Sequence, residues 1–291
     1  MSAWQDSWNA LKHHPRERIK IVIGRLLYPS STRRWISFVR SHAVLWSQVP
    51  NFPKLLTRIY RPYGFRTLSC QQRVEMMIRH YEVLHQHGLL TLLKRSAVQA
   101  LLIGEVQTKS KDTAQLYLQS LRDGHREGEM SLQLFLGDHF LYSLTFSLIG
   151  DPSAPDMVVT RLQSNKLDDA KNLIRTATKS FHGYRPSMLL LQTARQFAHL
   201  CGCQRVLLVS NRQRVALNPV RRLKIKTDLE GLWRDLGATP QADGFFALSP
   251  IVALPQDFSD VPSNKRAEAK RKAALAADLL QALSVSMVSR G

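Results

Sequence analysis

Alternation of apolar and polar positions dominates the middle of this chain, and its period changes more than once. Residues 131–136 and 139–148 are strand-like runs, and the pair Gly137-Asp138 between them predicts a tight hairpin turn. Beyond the turn-forming Gly150-Asp151-Pro152, the β-branched run over 157–163 predicts a third strand. From Leu167 the period lengthens. Ala170, Leu173, Ile174, Ala177 and Phe181 recur three or four apart, the stripe of an amphipathic helix. Gly183 ends that helix and Pro186 opens another, with Leu189, Leu190, Ala194, Phe197, Ala198 and Cys201 facing inward and Gly202 stopping it. Residues 204–210, built on Val206-Leu207-Leu208-Val209, read as a buried central strand. Leu229, Leu232, Trp233 and Leu236 form a short helix ending at Gly237, and residues 244–248 a last strand.

Residues 1–125 read as mostly helical. Trp4, Trp8 and Leu11 share one helical face, and Val74, Met77, Ile78, Tyr81 and Leu84 make a second stripe ahead of Gly88. Residues 89–106 fit either a buried helix or two short elements. A basic and aromatic segment spans residues 52–66. After Pro262 a helix rich in Lys, Arg and Ala begins, capped by Ser263 or Asn264, with Leu275, Leu279, Leu280 and Leu283 on its apolar side. The expected class is therefore α/β (α+β), in three parts: a helical region over 1–125, a mixed sheet flanked by helices over 126–255, and a basic helix over 256–291.

Charge narrows the partners. With 41 Lys and Arg against 22 Asp and Glu, the formal net charge is +19 over 291 residues, so an anionic partner is expected: an acidic lipid surface, a phosphorylated glycolipid such as a lipopolysaccharide precursor, or nucleic acid. No helix-turn-helix, zinc-finger or RNP pattern is found, which ranks nucleic acid third. Cys70, Cys201 and Cys203 lack paired CxxC spacing, which favours a reducing compartment. The N-terminus has no secretory pattern, and no apolar run approaches the roughly 20 residues of a membrane span. A cytoplasmic protein is expected, free or peripheral on the inner membrane.

The order strand, strand, strand, helix, helix, strand, helix, strand over 130–248 resembles the second half of the acyl-CoA N-acyltransferase fold. That likeness implies acyl-CoA or acyl carrier protein as cofactor, with the pyrophosphate held where a strand passes to a helix. Main-chain amides of residues 206–209 would polarise the thioester carbonyl. The loop departs from that superfamily's glycine-rich pattern, because His182-Gly183-Tyr184-Arg185-Pro186-Ser187 has one glycine. Trp233 stands near the superfamily's usual tyrosine. The catalytic residues therefore stay unassigned, as does whether the protein is an enzyme.

Several stretches together resemble the VirK/YbjX family: Ile59-Tyr60-Arg61-Pro62-Tyr63, Arg161-Leu162-Gln163, residues 178–186, residues 229–237 and residues 261–267. That resemblance implies a role in outer-membrane or lipopolysaccharide homeostasis, antimicrobial-peptide resistance and virulence. The alternatives are a non-catalytic peripheral adaptor binding acidic lipid or a partner protein and, third, a nucleic-acid-binding protein.

Two groups of candidate residues follow. The first is an anion or cofactor site at Lys179, His182, Gly183, Tyr184, Arg185 and Ser187, because amides of Ser187, Met188 and Leu189 at a helix start would face an anion. The second is a membrane-facing set, Arg58, Arg61 and Arg66, within the aromatic segment. Gln163, Ser164 and Asn165 read as a polar strand-to-helix turn, His139 as a surface residue and Trp233 as core. His13, His14, His80, His85 and His87 lack partners at ligand spacing, so no metal is expected.

Overall fold

Apolar residues at helical spacing build the first hundred positions into α1 (Ala3–Ala10), α2 (Pro15–Leu27), α3 (Pro29–Ser41), α4 (Ala43–Trp46), α5 (Cys70–Gln86) and α6 (Leu90–Val98) in the computed structural model, which describes residues 3–120, 126–165, 169–215 and 229–289. Pro15 and Pro29 open α2 and α3 where no amide donor is needed. A capping box starts α5: Gln72 N–H donates to Ser69 Oγ, and Ser69 N–H donates to the Gln72 side chain. The expected stripe from Val74 to Leu84 is buried.

One mixed sheet follows: β1 (Leu101–Gln107), β2 (Thr113–Ser120), β3 (Met130–Leu136), β4 (His139–Asp151), β5 (Ala154–Ser164), β6 (Arg205–Val209), β7 (Thr239–Pro240) and β8 (Phe245–Leu248), in spatial order β1-β2-β3-β4-β5-β6-β8-β7. Neighbouring strands are antiparallel except β5 and β6. That parallel pair needs a crossover, supplied by α7 (Ala170–Ser180) and α8 (Pro186–Leu200). Gly137 has φ of 53°, the conformation a two-residue hairpin needs at its first position. The short helix α9 (Leu229–Asp235) precedes β7, and α10 (Ser263–Val288) ends the fold.

Two expectations change. The helical region ends at Val98, because residues 101–107 and 113–120 add two strands to the sheet. Residues 89–106 thus resolve into α6 followed by the start of β1. The face of β1 is covered by α10, which packs on it so closely that a Cβ at Gly104 would lie 3.4 Å from Leu283 N. Finally, α10 is not capped by Ser263 or Asn264: Pro262 holds the cap position, and its carbonyl accepts from Lys265 and Arg266 N–H. The expected start of α7 at Leu167 lies outside the described residues. No helix among the described residues is long and apolar enough to cross a membrane.

Period two divides the sheet between its faces. Leu116, Leu118, Leu132, Leu134, Leu144, Phe146 and Leu162 share the largely apolar face that α8 covers, where the Phe146 and Phe197 rings meet edge to face at 5.3 Å. The opposite face is polar over its middle strands, and α5 covers only part of it. Trp233 is core, as expected, with its indole N–H donating to the Val209 carbonyl at 3.0 Å.

Candidate functional site

The polar face is built by register. Ser131, Thr145 and Arg161 lie opposite one another on β3, β4 and β5, and Gln133, Ser143 and Gln163 form the next row. Together with Phe140 these residues line a groove of about 340 Å³. Six polar side chains and one aromatic ring make it suited to a polar ligand, held by hydrogen bonds on a flat ring-lined floor.

Beside this groove the sheet opens. Asp156 to Val159 pair with Arg205 to Leu208, and no further pairing joins β5 to β6 among the described residues. At that level β5 has a bulge: Thr145 pairs with Arg161 and Phe146 with Val159, leaving Thr160 as the extra residue. The Thr160 hydroxyl is anchored on the Glu127 and Thr145 carbonyls. Of residues 206–209, the first three pair with β5 on one side and β8 on the other, so the unpaired wall of the gap begins at Val209.

Arginines gather at this opening. Arg161 lines the groove, and its Nη1 lies 3.5 Å from Glu127 Oε1. The chain over residues 64–66 ties in two more: Gly64 N–H donates to the Arg126 carbonyl at 2.7 Å, Phe65 bridges to Arg214, and Arg66 N–H donates to the Gln213 carbonyl at 2.8 Å. Burial lowers the Arg214 pKa and the Arg161 charge lowers it further, against Glu127. Burial and the neighbouring Arg61 do the same to Arg126. Arg214 Nη1 is buried with no hydrogen-bond partner among the described residues. Arg61 is half-buried and also lies 3.8 Å from Glu17.

Next to the opening, the core holds an ion pair that the sequence did not announce. Arg58 Nη1 donates to both oxygens of Glu129 at 2.7 Å, and the Tyr63 and Tyr81 hydroxyls donate to the same carboxylate. Glu129 is 3% and Arg58 6% exposed. Burial alone would raise the Glu129 pKa, but the Arg58 guanidinium, His80 and the two phenols hold it below its ordinary value. Burial pushes the His80 pKa down to about 4, and its Nδ1 accepts the Leu148 N–H at 3.0 Å. Arg58 was expected at a membrane surface; it is instead a core residue, because a carboxylate 71 positions away neutralises it. Arg66 is exposed, whereas Arg61 turns toward Glu17, so the three arginines do not form one face.

The α7–α8 connection departs from its expected chemistry. Met188 and Leu189 N–H both donate to the Arg185 carbonyl, at 3.0 and 3.1 Å, so two of the three amides expected to face an anion are already used. Gly183, with φ of 79°, and His182, with φ of 51°, make the turn, and Lys179 and Arg185 are exposed. Burial lowers the His182 pKa, with Arg271 and Lys109 acting in the same direction against Glu268. Tyr184 lies beneath Lys272 Nζ at 4.9 Å from its ring centre, and Ser187 bonds the Tyr142 hydroxyl. The structure therefore joins His182, Gly183 and Tyr184 to the start of α10 rather than to the groove. A period-two scan of polar residues would have found the groove; Arg126, Glu127 and Glu129 carry no local pattern.

A family model described as "Protein of unknown function (DUF535)" matches residues 11–284. Among curated proteins, the chain is 24% identical to an Escherichia coli K12 protein described as uncharacterized protein YbjX, over 89% of this chain and 80% of that one. It is 20% identical to an uncharacterized protein of Haemophilus influenzae, over 50% of this chain and 47% of that one.

Proposed function

Because the chain belongs to the DUF535 family, a family of unknown function, its chemistry has to be read from the cleft, and we propose that it transfers an acyl group from acyl-CoA or acyl carrier protein to an acceptor in envelope or lipopolysaccharide maintenance. The observation that carries this reading is the parting of β5 from β6 beyond Val159 and Leu208, beside the Thr160 bulge. A sheet that is antiparallel on both sides of one parallel pair supports the likeness to acyl-CoA N-acyltransferases. Beyond Val159 and Leu208 the two strands no longer pair with each other, and in this reading a main-chain N–H facing that gap polarises the thioester carbonyl. The acceptor nitrogen or oxygen then bonds the acyl carbon, the carbon–sulfur bond breaks, and the acceptor's proton leaves with the thiol. The adjoining polar groove is where the acceptor is held. Resistance to cationic antimicrobial peptides and surface display of virulence proteins are the downstream expectations from the VirK/YbjX resemblance.

Calorimetric titration with CoA and with a long-chain acyl-CoA is expected to show saturable binding. Arg185→Ala, at the exposed start of α8, should weaken it about tenfold, since a hydrogen bond to a charged group contributes roughly 1.5 kcal/mol or more. Absence of binding to CoA, acyl-CoA and acyl carrier protein alike would sink the reading.

A second reading, the peripheral adaptor on acidic lipid, is favoured by α2. Its buried side is Glu17, Ile21 and Gly24, whereas Ile19, Val22, Ile23 and Leu26, which share one helical stripe, are exposed, Leu26 to 77%. Exposed Arg16 and Arg25 flank that stripe, so an anionic membrane surface complements it in both charge and polarity. Flotation with vesicles should show binding that requires acidic lipid and disappears in Ile23→Asp/Leu26→Asp, while Arg66→Ser changes it little. Binding retained by the double variant would exclude α2 as the contact.

A further inference from the structure

The arginines around the sheet opening outnumber the carboxylates that meet them, and one guanidinium nitrogen, Arg214 Nη1, is buried without a partner among the described residues. Glu127 is the carboxylate that Arg161 contacts and that Arg126 and Arg214 feel. Glu17, at the edge near Arg61, already pairs with Lys20 at 2.5 Å and accepts the Thr57 hydroxyl. Burying a guanidinium nitrogen without an acceptor is unfavourable, and clustering three cations around one shared carboxylate, with Arg61 beside them, compounds it. A fold retains such an arrangement where an anion completes it, since arginine forks match the oxygens of phosphate in pairs.

We propose that Arg61, Arg126, Arg161 and Arg214 form a binding site for a phosphoryl group at the mouth of the polar groove. Arg161 connects the two, because it lines the groove and pairs with Glu127. The inference rests on the transfer reading only in its biological sense: there, a phosphate-bearing acceptor such as a phosphorylated sugar would anchor its phosphate on the arginines and present its nucleophile along the row of Ser131, Thr145, Gln133 and Ser143. The phosphate of CoA could supply the same chemistry. The α7–α8 connection is a separate basic region, joined to α10 and not to the groove.

The test uses the whole protein at constant ionic strength, with sodium phosphate, pyrophosphate, glucosamine 1-phosphate, glucosamine and CoA as separate probes. Thermal melting and calorimetry should show stabilisation and saturable binding by the phosphate-bearing probes and none by glucosamine. Arg161→Gln and Arg214→Gln should each weaken binding at least tenfold, Arg161→Lys should recover part of it, and Arg271→Gln near α7 should change nothing. Arg214→Met should also melt higher than the parent protein when no anion is present, because it removes the buried nitrogen that lacks an acceptor. Response to glucosamine 1-phosphate beyond that to inorganic phosphate points to an acceptor, and response to CoA alone points to the donor. If CoA fails and phosphate probes bind, the arginine site stands and the acyl-transfer reading falls. If phosphate, pyrophosphate and glucosamine 1-phosphate all leave the protein unchanged, or Arg271→Gln abolishes their effect while the Arg161 and Arg214 variants keep it, the site is refuted. A lower melting temperature for Arg214→Met in anion-free buffer would equally overturn it, by making Arg214 a structural residue.

Discussion

Glu129→Ala is expected to destabilise the fold by about 3–5 kcal/mol, the usual consequence of removing one partner from a buried ion pair. The substitution strands Arg58 in the core and leaves the Tyr63 and Tyr81 hydroxyls without the carboxylate that accepts them. Arg58→Ala should be comparably severe, since it leaves a buried carboxylate held only by phenols. The double replacement Arg58→Met/Glu129→Leu should cost less than the sum of the single changes, because no unpaired charge remains. Urea denaturation of the four proteins measures this directly. A single-variant loss below about 1 kcal/mol would mean that water or rearrangement already satisfies the pair, against its burial. The loss is a large share of a typical stability of about 5–15 kcal/mol, so Glu129→Ala should also accumulate poorly.

Acid should unfold the protein through His80 before the carboxylates titrate. His80 is buried and uncharged, with its pKa pushed down to about 4, against about 6.5 in an unfolded chain. Below pH 6.5 the unfolded state therefore binds a proton that the folded state refuses, and stability falls as pH drops toward 4. The full difference amounts to about 3 kcal/mol. Glu129 acts in the same sense at lower pH: its depressed pKa gives stability above the unfolded carboxylate value that is lost as pH falls through the folded one. Denaturation midpoints followed from pH 7 to 4 should decline steeply in the parent protein and much less in His80→Gln, which keeps an acceptor for Leu148 N–H. Equal slopes in the two proteins would assign the acid sensitivity elsewhere.

Both effects arise from residues that look ordinary in the sequence. Arg58 sits among Arg61, Arg66 and four aromatic residues, a composition that reads as a basic surface, yet Arg58 and Tyr63 are core. His80 lies beside the α5 stripe, and nothing in its sequence neighbours marks it as buried rather than exposed. In contrast, the hairpin at Gly137, the helices opened by Pro186 and ended at Gly202, and the strands over 205–209 and 245–248 appear where period and turn residues put them. The strand over 113–120 falls inside the region read as helical, although Ala114, Leu116 and Leu118 alternate there with Gln115, Tyr117 and Gln119. Leu101-Leu102-Ile103 was not legible, because a short apolar run fits a buried helix or a strand equally.

The candidate site divides along the same line. Ser131, Gln133, Ser143 and Gln163 are marked as one face by period two, which is a property of the extended chain itself. Thr160 becomes a bulge only through its neighbour's register, and Arg61, Arg126, Arg161 and Arg214 come from separate segments that the Gly64–Arg126 and Phe65–Arg214 contacts draw toward one another. The sequence by itself determined the helices, most strands, the basic charge and the family likeness, because spacing and turn chemistry act within a few residues. Tertiary structure decided which arginine is buried against Glu129, where β5 leaves β6, and which cations converge at that opening. Those outcomes depend on the free energy of desolvating a charge, and that is set by whatever side chain arrives from elsewhere in the chain.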